Sequence, residues 1–428
     1  MKFAFCTLGC KVNQYETAAM ERMLLAAGHT AAMSDAMPDI FIINSCTVTA
    51  ESDRKTRQMV RKYRRELPHA IIVLTGCMPQ AFPDDAEALD AADIVLGNNS
   101  NNSICEAIDR FVSTGERIVS IDTHKKGERF DTPPIEHIEE RTRAYLKIQD
   151  GCNRYCSYCI IPTARGRERS KPLADIDAEV REIAATGHRE IVLVGINLSA
   201  YGNDIDADLC DAVDVVCAVD GIERVRLGSL EPDIFTDEMM NRLKSQKKFC
   251  PQFHFSLQSG CDATLQRMRR HYDTEFYRRL VERVRRNFDN ASITTDIMVG
   301  FAGETDEEFE QSVQFAREIG FARAHVFAYS RRAGTVAAKA DGQVPNAVKH
   351  ERSQRMIAAV SETEYEFLKT QIGGVYPVLF ETRKGDCNEG YTPNYTHVRV
   401  KSDDDLCGKI INVRLTSIDA DSCIGETV

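Results

Sequence analysis

No tryptophan occurs in the 428 residues, and aromatic residues make up only 7% of the chain. No apolar run approaches the ~18 residues that a membrane span requires, so a membrane partner is not expected. The opening apolar run ends at Lys11 with no small-residue cleavage site after it, and a cytoplasmic location is expected. Positive charge is not in excess: 54 Lys and Arg stand against 65 Asp and Glu, a net charge of −11. Such an average argues at first sight against nucleic acid as a partner. Repeats of 20–50 residues and low-complexity tracts are lacking as well. What is plentiful is cysteine, at 15 residues. Disulfides are rare in the cytosol, so these thiols should be core residues, metal ligands or catalytic groups.

Hydrophobic residues at 43% and charged residues at 28% lie near globular averages, which excludes wholesale disorder. At ~150 residues per domain, the length suggests two to four domains. Over residues 1–122, short apolar runs (KFAFCTL, DIFIINS, AIIVLTG and a weaker ADIVLG) alternate with helical patterns. A helix over Gln14–Ala27, capped by Asn13 with Glu16 three residues on, is predicted between the first two. This alternation predicts an α/β domain built on a parallel sheet. Residues 123–142, polar and with paired prolines, read as a linker.

Over 143–371 the alternation resumes with six runs, AYLKIQD, EIVLVG, RVRLGS, FHFSLQ, ITTDIMVG and AHVFAYS, followed by a long helix. Six β/α units in roughly 190 residues suit a partial (β/α)6 barrel better than a closed eight-stranded one. Residues 372–428 shift to short strands with glycine and asparagine turns, the pattern of a small all-β barrel.

The strongest chemical signal is DGCNRYCSYC, which sets Cys152, Cys156 and Cys159 just after the first run of the second domain. Barrel loops at that rim carry catalytic groups. Three thiolates this close need a cation cluster. A [4Fe-4S] cube held by three of them keeps one iron open. The competing reading is structural zinc, but zinc takes four ligands and no fourth Cys or His is near in sequence. A second set is dispersed: TLGC, INSC and LTGC place Cys10, Cys46 and Cys77 beyond the carboxyl ends of three strands. Open α/β sheets bind ligands at that edge. A second three-cysteine cluster is expected there, against the alternative of ordinary core thiols. Glycine before Cys10 and Cys77 is expected to let backbone approach the ligand. The other nine cysteines read as core or incidental.

The cluster loop, with Tyr158 before its third cysteine, resembles that of the radical S-adenosylmethionine superfamily. CSYCIIPTARGRERS, HFSLQSGCDATLQRMRRHY, TTDIMVGFAGET and HVFAYSRRAGT extend the likeness to the methylthiotransferase branch. The opening TLGCKVNQYE is closest to its bacterial threonylcarbamoyladenosine tRNA group. Ala302, Ala328 and Val336 stand where that pattern usually has proline.

The resemblance implies an amino-terminal cluster domain, a radical barrel and a carboxyl-terminal OB-like TRAM barrel. It implies two [4Fe-4S] clusters, S-adenosylmethionine, tRNA as substrate and an electron donor such as flavodoxin or ferredoxin. It further implies that the open iron chelates S-adenosylmethionine and that Tyr158 lies against the adenine. Cys10, Cys46 and Cys77 become the auxiliary-cluster ligands. Substrates of sister groups, isopentenyladenosine in tRNA and a ribosomal-protein aspartate, are the alternatives. A non-catalytic iron–sulfur RNA-binding or redox-sensing protein is the alternative of another class.

Barrel geometry suggests a cofactor shell at the strand ends: Gly195, Asn197, Ser229, Glu231, Gln258 and Gly300. The two glycines are expected to admit the cofactor. Glu304 with Thr305 reads as a helix start. Charge is uneven, with eight basic residues against two acids over 141–171 and eight arginines against three acids over 267–286. Seven basic residues also crowd 54–65. Patches of this kind attract phosphates whatever the total charge. Arg165, Arg167 and Arg169 are the expected RNA contacts beside the cluster loop, and Tyr391, Tyr395 and Arg399 those of the terminal barrel.

Overall fold

The computed structural model describes residues 1–33, 36–131 and 142–428. The first domain is a six-stranded parallel sheet in the order β2-β1-β3-β4-β5-β6. Its strands are β1 (Lys2–Thr7), β2 (Thr30–Ala31), β3 (Ile40–Ser45), β4 (Ile71–Gly76), β5 (Ile94–Leu96) and β6 (Ile118–Ser120). β3 and β4 are apolar throughout and buried at every position, as central strands of a sheet covered on both faces must be.

Helix α1 (Lys11–Ala26) starts three residues earlier than the sequence predicts, with Cys10 at its N-cap and no side chain capping it. Asn13 and Glu16 are therefore not a cap. Both point into the interface with the second domain and bond there instead. Helix α2 (Ala50–Glu66) is capped by the Thr49 hydroxyl, which accepts from Ser52 N.

Six parallel strands form the second domain: Arg143–Lys147, Glu190–Val194, Arg224–Leu227 with its continuation Ser229–Leu230, Gln252–Phe255, Ser292–Val299 and Arg323–Ala328. Among the described residues no pairing joins the sixth strand to the first, so the barrel is open, as its six units imply. The register breaks at Gly228, where the third strand leaves the second and pairs with the fourth. The long helix Asn346–Gln371 packs along the sixth strand. The helix Asp306–Ile319 carries a capping box between Thr305 and Glu308. Glu304 belongs elsewhere: it accepts from Gly300 N and from Arg352.

Side chains alternate across these strands. One face (Ala144, Leu146, Ile191, Leu193, Val225) packs against the helices. The opposite, concave face is closed by two other parts of the chain. Near the strand ends, Val192 and Val194 meet Val12 of α1. Near the strand starts, Arg143, Glu190, Arg224 and Arg226 meet the carboxyl-terminal barrel.

That barrel is closed by five strands, Val375–Lys384, Cys387–Tyr391, His397–Lys401, Ile410–Asp419 and Ser422–Thr427, around Val378, Phe380, Val398, Val413 and Leu415. Two of them, Cys387–Tyr391 and Ser422–Thr427, go unread in the sequence because glycine and polar residues break their alternation. Tyr391 and Tyr395 stack at 4.5 Å. The Arg143 guanidinium lies 5.0 Å from each ring and Arg226 4.7 Å from Tyr395. Arg226 also donates to the Pro393 carbonyl (2.9 Å) and to Glu190 (3.0 Å). The tyrosines expected to meet RNA thus dock one domain on another. Arg399 pairs with Asp419 at 2.6 Å on the surface.

Five of the nine unassigned cysteines (Cys210, Cys217, Cys250, Cys261 and Cys423) are core residues. The expected linker lies largely outside the described residues; its described start carries His124, which bonds Glu128 at 2.9 Å. No helix is long and apolar enough to cross a membrane among the described residues.

Arg226 is fully buried, and its removal leaves the Glu190 carboxylate buried with a weaker partner in Arg224 at 3.5 Å. Arg226→Ala is expected to destabilise the protein by about 3–5 kcal/mol in denaturant titration; a loss under about 1 kcal/mol would contradict this account of domain docking.

Candidate functional site

Two cysteine sets stand on either side of the contact between α1 and the barrel. On the first-domain side, β1, β3 and β4 end in Cys10, Cys46 and Cys77, with Cys10 exposed and the other two buried. Gly9 has φ +109°, and a Cβ there would stand 2.7 Å from Cys46 Cβ. The glycine therefore makes room for a neighbouring cysteine, not for a ligand's backbone-side approach. Asn13 fixes the loops around the set: its Nδ2 donates to the carbonyls of Leu8 (3.1 Å) and Ser45 (2.8 Å), and Cys10 Sγ donates to its Oδ1 at 3.4 Å. Burial pushes the Cys77 thiol up to about 12, against the pull of nearby Arg165, and burial also raises Cys46.

On the barrel side, Cys152, Cys156 and Cys159 lie in the loop after the first strand. Gly151 starts it at φ +72°, where a Cβ would fall 1.9 Å from the Arg167 carbonyl, so no other residue fits. The segment 267–270 pins the loop, since Ser157 N donates to the Met268 carbonyl (3.0 Å) and Ser157 Oγ to that of Arg267 (2.7 Å). Burial pushes Cys152 and Cys159 up to about 12, with neighbouring cysteines adding to the rise. Thiols in this condition hold their protons until a metal displaces them. Among the described residues no three Cys, His, Asp or Glu side chains converge as tightly as one metal ion requires. A four-iron cube spreads its ligands wider than a single ion does, and three thiols without a histidine match its preference for sulfur.

Arg270, which the sequence does not single out, ties the shell to this loop. Its Nη1 donates to Cys156 Sγ (3.2 Å), its Nη2 to the Glu231 carboxylate and its Nε to Tyr272 OH (3.0 Å). Arg154 lies 3.7 Å from Glu231 and forms a bidentate pair with Asp233 at 2.6 and 2.8 Å. Tyr158 packs edge-on to Phe301, 6.2 Å away.

Two expected shell residues carry open acceptors. Asn197 Oδ1 and Gln258 Oε1 are buried with no hydrogen-bond partner. Gln258 is also held at φ +67°, an unfavourable conformation for a residue with a side chain. Orphaned acceptors and backbone strain at one rim are the marks of a ligand site.

The other expectations fare differently. Ser229 pairs with His254 in the strand ladder, and its side chain is exposed. A Cβ at Gly195 would meet Gln149 at 2.9 Å, and one at Gly300 would meet Lys349 at 2.4 Å. Both glycines thus admit protein side chains. Gly300 N also donates to Glu304 Oε1 at 2.8 Å.

Between the cysteine sets lies a buried ion network. Arg165, 1% exposed, pairs with Glu16 through both nitrogens and donates to Asn13 Oδ1 at 3.1 Å. Lys147 Nζ bridges Glu16 (2.8 Å) and Asp150 (2.7 Å), and Arg169 reaches Asp150 at 3.3 Å. Arg165 and Arg169 are consequently not RNA contacts; of the three arginines expected in that role only Arg167 is exposed. A second clamp pairs Arg332, from the rim loop after the sixth strand, with Asp53 of α2 at 2.6 Å.

The barrel with its three-cysteine rim defines a radical S-adenosylmethionine enzyme, and residues 146–316 match the model of that superfamily. Residues 2–97 match the uncharacterized protein family UPF0004. The chain is 36% identical to threonylcarbamoyladenosine tRNA methylthiotransferase MtaB of Bacillus subtilis, over 96% of this chain and 93% of that protein. It is 36% identical to the MtaB protein of Thermotoga maritima, over 98% and 95%. It is 32% identical to the tRNA-2-methylthio-N(6)-dimethylallyladenosine synthase of Caldicellulosiruptor saccharolyticus, over 99% and 91%. Among solved structures, the radical S-adenosylmethionine methyltransferase TsrM from Kitasatospora setae shares the fold at a TM-score of 0.59 and 14% identity, covering 79% of this chain and 74% of that one. The chain belongs to the radical S-adenosylmethionine methylthiotransferase family. It is an enzyme that uses a [4Fe-4S] cluster and S-adenosylmethionine.

Burial would raise the Glu16 carboxyl, but Arg165 and Lys147 outweigh it and hold the group below its ordinary range; Asp150 is held down in the same way. A depressed carboxylate adds stability that is complete above the unfolded value near 4 and is lost as pH falls towards the folded one. Glu16→Gln should therefore flatten the acid limb of stability, measured by denaturant midpoints between about pH 3 and pH 7. An equally steep limb in both proteins would remove the network from this role.

Proposed function

We propose that this enzyme adds a methylthio group to carbon 2 of N6-threonylcarbamoyladenosine next to the anticodon of tRNA. The observation that carries the reading is two three-cysteine sets facing one interface, joined through the buried Arg165 network. The substrate rests on the 36% full-length identity to the MtaB proteins. The dimethylallyladenosine enzymes at 32% are the second reading, since they too align along the whole chain.

Residues 1–122 form the auxiliary-cluster domain, 123–142 the linker, 143–371 the radical barrel with its long helix and 372–428 the TRAM domain. Cys152, Cys156 and Cys159 hold the radical cluster, and Cys10, Cys46 and Cys77 a second [4Fe-4S] cluster. When bound, the first cluster and S-adenosylmethionine supply a radical able to take hydrogen from carbon 2, which is neither acidic nor hydridic enough for a side-chain base. The protein's part is positioning. Glu231, oriented by Arg270 and Arg154, and the open acceptors of Asn197 and Gln258 bind the donors of the cofactor's ribose and methionine ends. Tyr158 offers its ring to the adenine. The buried Arg165 network holds the two domains, and with them the two cysteine sets, in one arrangement. The enzyme works in the cytoplasm with an electron donor such as flavodoxin or ferredoxin.

Anaerobic reconstitution should give about eight irons per chain, whereas about four would remove the second cluster. Cys152→Ala should abolish S-adenosylmethionine cleavage and Cys10→Ala should spare uncoupled cleavage; equal loss in both contradicts the assignment. Nucleoside mass spectrometry of tRNA from a deletion strain should lack 2-methylthio-threonylcarbamoyladenosine. An unchanged level sinks the substrate.

A further inference from the structure

Three arginines of the helix Thr274–Asn287 are neutralised within the fold. Arg278 pairs with Glu275 and Glu318, Arg279 with Glu275 (3.3 Å) and Arg283 with Asp237 (2.9 Å). The carboxyl-terminal barrel is acidic on balance, and its Arg399 and Lys384 are paired too. Helix α2 differs. The acids of its first turn are taken, Glu51 by Arg54 and Asp53 by Arg332. Glu66 reaches Lys62 only at 3.9 Å. Lys55, Arg61 and Arg65 are exposed and have no carboxylate within ion-pair distance among the described residues.

These side chains follow one another at helical spacing. Lys55, Gln58, Arg61, Lys62 and Arg65 line one side of a groove, and Leu8 and Met59 form its apolar part. Positions three and four apart share a helix face, and ten residues at 1.5 Å each span ~15 Å, room for several successive phosphates. The groove also has an address. Leu8 lies two residues before Cys10, and the first turn of α2 is fixed to the barrel rim by Ala50 N donating to Ser330 Oγ (2.9 Å) and by the Asp53–Arg332 pair. The cationic stripe thus runs outward from the strand edge that carries Cys10 and Cys46.

We infer that the exposed face of α2 holds the sugar-phosphate backbone of the RNA substrate, with Lys55, Arg61, Lys62 and Arg65 neutralising successive phosphates while the target adenosine reaches the cysteine sites. This rests on the tRNA reading above and deepens it. The contact is electrostatic and independent of sequence; base recognition lies elsewhere.

The test uses the full chain with its clusters reconstituted and a tRNA transcript bearing adenosine beside its anticodon, with affinity measured across a salt series. Serine at Lys55, Arg61, Lys62 and Arg65 together should weaken binding by about tenfold or more and reduce the slope of log K against log salt by about 3. Serine at Arg278, Arg279 and Arg283, which are paired within the fold, should change the slope by less than about 1. Iron content and circular dichroism matching the parent verify that both variants fold. An unchanged slope in the α2 variant, with the parent still binding, overturns the inference and leaves the tRNA reading intact. A parent that binds no tRNA overturns both. Retained RNA binding with slowed reduction by flavodoxin assigns the stripe to an acidic protein and also overturns it.

Discussion

The guanidinium of Arg165 is the interaction on which the rest of the site depends. It is buried between two domains with Glu16 on one side and Asp150 on the other, joined by Lys147 and Arg169. Such charges are stable in a low-dielectric interior only if each keeps its partners, so the arrangement tolerates little displacement. Its members are also neighbours in sequence of the cysteines: Asn13 and Glu16 follow Cys10, while Asp150 and Arg165 bracket the loop carrying Cys152, Cys156 and Cys159. A network that cannot shift therefore fixes how the two cysteine sets, carried by different domains, stand to one another.

The same logic explains why so much charge near the site is not surface charge. The concave face of a six-stranded open barrel would otherwise leave strand residues facing water, and this chain fills it from both directions. Val12, Tyr15 and Glu16 of α1 cover the ends of the first strands, and the tyrosine pair of the terminal barrel covers their starts. Arginines that look like a phosphate-binding patch in the sequence are used for this assembly. A run of cations open to a polyanion lies on α2, remote in sequence from the cluster loop but anchored beside it by Arg332.

Much of the fold was legible because its elements are locally determined. β3 and β4 are continuous apolar runs, the residues at Glu304 and Thr305 read as a helix start, and six β/α units suit an open barrel better than a closed one. Cys152, Cys156 and Cys159 were legible for a similar reason: they are close in sequence, and their spacing leaves few alternatives. Cys10, Cys46 and Cys77 needed one further step, that parallel strands bring their carboxyl ends to a common edge. Where reading failed, the partner was distant. Asn13 and Glu16 look like a helix cap because the motif is local, and nothing nearby in the chain announces Arg165. At Gly195 and Gly300 the side chains of Gln149 and Lys349 crowd the place of a Cβ, contacts between distant elements that no local pattern records.

Short-range pattern and donor type were enough to reveal the strand and helix alternation, the thiols at the strand ends and the chemistry such thiols suit. Which charged groups are buried, which acceptors at the rim remain open and which cations still face solvent depend on long-range packing. Ion pairing and burial join residues more than a hundred positions apart, and no local pattern records them. The acidic average is the plainest case: it belongs to the whole chain, whereas a phosphate meets only the few cations whose partners the fold has placed elsewhere.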